Sequence, residues 1–162
     1  MRMIVKDGVL RKISYPIMQL NEIPHSHVLY SRSLIENKVI PFAHDLLGEL
    51  NPNLEERSDI YYPDVAFLVD KIYIIQNGDK ETVWLDASVL DTPCGRILNE
   101  VVEKDLSIQF SLRAFANATM IEGFKIVRED GFDFITIDAY VKYLNKNKSC
   151  GTKLVIELVD HT

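Results

Sequence analysis

The feature that most constrains this chain is Asn77-Gly78-Asp79, set between two runs of β-forming residues. Val65 to Ile75 precedes it and Thr82 to Leu90 follows it. Asn-Gly supplies the positive φ angles that a tight hairpin turn needs. The pattern predicts a long antiparallel hairpin, which is not stable alone. Its apolar face must be covered by further strands or a helix.

The flanking sequence supplies both. A helix is expected at Asp91-Thr92-Pro93, with Thr92 as N-cap and Pro93 as first helical residue. Ile97, Leu98, Val101 and Val102 form its apolar stripe. An earlier helix is expected from Ser33, where Ser33 and Glu36 read as a capping box. Leu34, Ile35, Val39, Phe42, Ala43, Leu46 and Leu47 continue it at helical spacing, Pro41 should kink or split it, and Gly48 should stop it. Residues 1–30 read as irregular strands interrupted by Pro16 and Pro24, and residues 51–63 as a loop. Leu106 to Ala116 alternates, with Phe110, Leu112 and Ala114 on one face and Gln109, Ser111 and Arg113 on the other. Further strands are expected at Phe124–Val127, Phe132–Val141 and Leu154–Val159, with a basic loop-like stretch at 145–148. The fold class is α+β: a mainly antiparallel, twisted or barrel-like sheet with two main helices, in one domain spanning 1–162.

Composition narrows the function. Of 162 residues, 47% are hydrophobic, enough for a core. The formal net charge is -6, which argues against direct nucleic-acid binding, since phosphate contacts need clustered Lys and Arg. No apolar run reaches the roughly 20 residues that span a bilayer, and no signal peptide is read at the N-terminus. Cys94 and Cys150 read as two free thiols. His25-Ser26-His27 has no evident third ligand, so no metal and no cofactor is expected.

Three segments, in order, carry a family resemblance. Leu46-Leu47-Gly48-Glu49-Leu50-Asn51-Pro52 is similar to the G-E-L-N-H-P stretch of the prohead (head-maturation) proteases of tailed bacteriophages. Val89-Leu90-Asp91-Thr92-Pro93-Cys94-Gly95-Arg96-Ile97-Leu98 resembles that family's L-D-T-P-x-G-x-x-L helix start. Ile108 to Ala114 resembles its G-V-S-S-R-G strand. The resemblance implies a fold like that of the herpesvirus assembly proteases. It also implies a serine nucleophile at Ser111 and an arginine by the oxyanion site at Arg113. The family histidine falls at Pro52-Asn53, where no histidine stands.

That gap matters because a serine hydroxyl needs a base to become a nucleophile. Neither an amide nor a proline ring is one. His44, two helical turns earlier, is the candidate substitute, against an ordinary helix-face role. Asp64 falls near a third triad position, against a plainer place at a strand start facing solvent. Ser111 itself has an inert reading, as a polar residue on a strand's solvent face. Trp84, Tyr61, Tyr62 and Tyr73 read as core or interface aromatics.

Three functions follow. The first is a phage head protein that kept the protease fold, lost catalysis, and binds the capsid shell as an auxiliary, decoration or assembly protein. Its partners would be the major capsid protein or other head proteins, with self-association allowed. It would sit in the virion capsid, and in the host cytoplasm during assembly. The second is an active maturation protease cutting scaffold and capsid precursors, with His44 or another subunit's histidine as base. The third is an unrelated α+β binding module.

Overall fold

The computed structural model describes residues 8–20, 27–55 and 59–142. The predicted hairpin is its centre. β4 (Val65–Asn77) and β5 (Lys80–Leu90) pair antiparallel through a turn at Gly78-Asp79. β1 (Val9–Gln19) pairs with the other edge of β5, and β3 (Leu46–Glu49) with the other edge of β4. Pro16 is accommodated inside β1, where the register with β5 shifts between Pro16 and Met18. The stretch around Pro16 is therefore one bulged strand on a sheet edge, where a proline lacking a donor is tolerated, and Pro24 lies outside the described residues.

Two smaller sheets complete the chain. β6 (Gln109–Phe115) pairs antiparallel with β9 (Asp133–Tyr140). β7 (Ala118–Ile121) and β8 (Phe124–Val127) form a hairpin, and the short β2 (Val28–Leu29) lies parallel to β8. β7 has no counterpart in the sequence reading. The strand expected at Leu154–Val159 and the basic stretch at 145–148 lie outside the described residues.

The helix at Pro93 forms as expected. α2 (Pro93–Glu103) begins with the Thr92 hydroxyl accepting from the Gly95 N–H at 2.9 Å, and Pro93 stands in its first turn. Ile97, Leu98 and Val101 are buried in the main core. Gly95 is required at its position. A Cβ there would lie 1.8 Å from the Leu90 carbonyl oxygen. Cys94 is fully buried, and Cys150 lies outside the described residues.

The first helix departs from expectation. Only α1 (Arg32–Leu34) is α-helical; a π turn, Ile35–Val39, and a 3-10 turn, Ile40–Phe42, follow. Ser31, not Ser33, caps it, accepting from the Leu34 N–H at 3.1 Å. The Ser33 hydroxyl instead donates to Glu129 at 3.0 Å. Pro41 ends the helical run, and Leu46 and Leu47 belong to a strand. A short apolar run reads alike in a helix and a buried strand. Here pairing with β4 decides.

The result is an α+β fold of mainly antiparallel strands and two helices. The sheet curls as a barrel would without closing. β3 runs on into Leu50, which bridges Ala139 of β9, so the strands follow one another as β1-β5-β4-β3-β9-β6. β6 and β1 approach one another but do not pair.

Candidate functional site

β6 carries the residues singled out by the resemblance. Residues directly opposite each other on antiparallel strands share a face. Phe110 and Leu112 lie across from Ala139 and Ile137 and turn to the core. The Phe110 ring packs on Tyr15 and edge-on to Phe67, at centroid distances of 5.3 and 5.5 Å. Ser111 and Arg113 lie across from Asp138 and Thr136, on the other face.

That other face is not solvent-facing at Arg113, because β3 and its continuation cover it. Arg113 is 4% exposed, with Glu49 at 0% and Asp138 at 1%. The guanidinium grips Asp138 with two bonds, Nε to Oδ2 at 2.8 Å and Nη2 to Oδ1 at 2.5 Å. Nη2 also donates to Glu49 Oε2 at 2.8 Å, and Nη1 to the Asp59 carbonyl at 3.2 Å. Glu49 Oε2 accepts in turn from the Tyr61 N–H at 3.1 Å. Burial works against the Arg113 charge, yet Asp138 and Glu49 hold its pKa above the ordinary arginine value. Burial pushes the Asp138 carboxyl up, against the pull of Arg113. Two carboxylates thus share one guanidinium in a nearly dry site.

The other motif residues serve the same junction. Asn51 has φ 46° and lays its side chain along β9 like an extra strand residue. Its amide nitrogen donates to the Val141 carbonyl at 3.2 Å and its amide oxygen accepts from the Val141 N–H at 2.8 Å. Its backbone N–H donates to the Ala139 carbonyl at 2.8 Å. Gly48 lies against Phe67: a Cβ there would fall 2.1 Å from the ring. Asp64 is 6% exposed, so the expectation of a solvent-facing strand start fails there.

Ser111 has a different setting. It is half-buried, and it lines a cleft of about 530 Å³ between the end of β1 and the edge of β6 that no described strand pairs with. Ile17, Met18, Leu20, Val28, Tyr30 and Leu112 give this cleft apolar walls; Gln19, Gln109 and Ser111 supply polar groups. Among the described residues no side chain hydrogen-bonds to the Ser111 hydroxyl. The structure does not bring His44 to it. That imidazole is exposed, with Nδ1 3.8 Å from the carboxylate of neighbouring Asp45. Pro52 is buried and Asn53 exposed. His27, exposed and packed edge-on against Phe124 at 5.1 Å, sits just before the Val28–Tyr30 wall.

Sequence reasoning missed Glu49 and Asp138 as partners of Arg113. A charge at alternate positions of a strand reads as solvent-facing. The available signal was three charged residues, Glu49, Arg113 and Asp138, each inside an apolar run.

The chain is similar to the solved structure of the bacteriophage T4 capsid assembly protease, gp21. The TM-score is 0.60 at 21% identity, covering 80% of each chain. This likeness establishes a fold of the phage prohead-protease type. No family model and no curated protein matches the sequence.

Proposed function

We propose that this chain is a bacteriophage head protein that keeps a capsid-protease fold without its proteolysis and binds the capsid shell during or after assembly. The observation that carries the proposal is the state of Arg113. Its donors are spent on Asp138, Glu49 and the Asp59 carbonyl, so the guanidinium acts as a fold clamp. It is not poised to meet a developing oxyanion, which needs donors aimed at the reacting atom. Among the described residues no side chain bonds to the Ser111 hydroxyl and none supplies it with a base, which supports the same reading. A serine without a base in reach retains only residual catalysis. The fold likeness to gp21, a capsid assembly protease by its description, supports a place in the head and leaves the loss of proteolysis to rest on the site itself.

The cleft beside Ser111 then serves as a binding groove. Its apolar walls and the edge of β6, which no described strand pairs with, suit an extended segment of a capsid or scaffold protein, held by backbone pairing and side-chain pockets.

The test uses the purified chain with capsid and scaffold precursors of its own phage. The expected result is no cleavage and co-sedimentation with assembled shells, equally for wild type and Ser111→Ala. Cleavage that disappears in Ser111→Ala overturns the proposal and makes the chain a maturation protease, with His27→Ala and His44→Ala next in the search for its base.

A further inference from the structure

β7 is the barest strand of the fold. All four of its residues are exposed, with Met120 at 64% and Ile121 at 50%. Among the described residues it pairs only with β8, and it carries no charge, proline or bulge, the usual protections of an open sheet edge. The hairpin shows which backbone groups are open. The Lys125 N–H donates across to the His27 carbonyl at 2.8 Å, away from β7. Lys125 lies opposite Met120, so that pair exchanges no bonds, and Met120 turns its own N–H and C=O outward. The Arg128 N–H donates to the Asn117 carbonyl at 2.8 Å, which fixes Asn117, Thr119 and Ile121 as the residues facing β8. Ala118 and Met120 therefore hold two donors and two acceptors toward the open side.

We infer that this edge pairs with the same edge of a second copy, antiparallel about a two-fold axis at Thr119. In that register Ala118 of each copy faces Met120 of the other, and all four outward groups of each edge are satisfied. Equal numbers of donors and acceptors make the edge self-complementary, as a two-fold interface must be. Thr119 meets Thr119 in the close, non-bonded position, a favourable cross-strand pair. Glu122 falls opposite Ala116, so no like charges face each other although the chain carries a net charge of -6. A contact of four residues is well short of the roughly 800 Å² per partner of a standard interface, so the dimer is weak and depends on concentration.

The experiment is sedimentation velocity of the full chain over a concentration series into the millimolar range. Wild type is expected to shift from monomer to dimer. Met120→Pro removes one outward donor per copy and leaves the β8 ladder untouched. It is expected to raise the dimer dissociation constant by about tenfold or more. Thr119→Cys tests the register independently, and stands if the proline variant fails to fold. Oxidation should give a cross-linked dimer on a non-reducing gel, with Glu122→Cys giving far less. A wild type that stays monomeric, a dimer indifferent to Met120→Pro, or equal cross-linking from both cysteines overturns the inference. So does a monomer whose Met120-dependent binding is to another head protein only. None of these outcomes depends on whether the chain cleaves its precursors.

Discussion

Arg113 and Ser111 stand two residues apart on one face of one strand, yet they live in opposite surroundings. The Arg113 end is dry, crowded and fully bonded, closed over by β3 and by the segment running on to Asn51. The Ser111 end opens on a cleft and has no side-chain partner among the described residues. The residues shared with the prohead-protease motifs gather at the first end. Gly48, Glu49, Asn51 and Arg113 each hold the junction of β3, β6 and β9. Motif similarity in this chain therefore reports on how the sheet is joined, and carries far less about chemistry.

The comparison breaks most readily at its buried end. Arg113→Met leaves Glu49 and Asp138 buried without their counter-charge. Urea denaturation should show a loss of about 3–5 kcal/mol. Ser111→Ala, at a half-exposed hydroxyl with no side-chain partner, should cost no more than about 0.5 kcal/mol. Equal losses would mean that the two ends do not differ as described.

Asn51 sharpens the picture by separating conformation from bonding. Asn51→Ala loses two side-chain bonds to Val141 and puts at φ 46° a residue that tolerates the left-handed region less well than asparagine, for about 2–3 kcal/mol. Asn51→Gly loses the same bonds but accepts the backbone, so it should cost about 1 kcal/mol less. Paired melts of the two variants give that difference directly.

The smallest effect is expected where similar groups meet in solvent. Asp86, on the outer face of β5, accepts from Ser14 at 2.6 Å and Tyr73 at 2.8 Å, with Lys71 nearby. Burial pushes its carboxyl up, but these partners more than offset that and hold it below the usual value. A depressed folded pKa adds stability above the unfolded value near 4, and that stability is lost as pH falls through the folded pKa. Asp86→Asn should thus cost about 0.5 kcal/mol at neutral pH. The gap to wild type should close on acidification below about pH 4, followed by thermal melts.

Much of the fold was legible where local chemistry decides. The Asn-Gly turn, the Thr92 cap and the apolar stripe of α2 needed no tertiary information. Leu46–Leu47 was misread as helix because pairing with β4, not propensity, sets its form. Arg113 was misplaced because alternation along β6 says only that it opposes Phe110. That its face is covered follows from a segment more than sixty residues earlier in the chain. The setting of Ser111 was half legible: the missing histidine could be read, but the cleft could not, since its walls come from β1, β2 and β6.

The Asn51–Val141 clasp has a kinetic consequence. It joins residues 90 apart in sequence, and the Glu49–Asp138 and Leu47–Thr136 contacts beside it span 89. Loops of that length are slow to close, whereas Arg113 and Asp138 stand only 25 residues apart on neighbouring strands. The hairpin of β4 and β5 can form early, from neighbours in the chain. Glu49 is therefore the member of the ion-paired junction expected to arrive last, and the Arg113–Asp138 pair loses its remaining water only when β3 docks against β9.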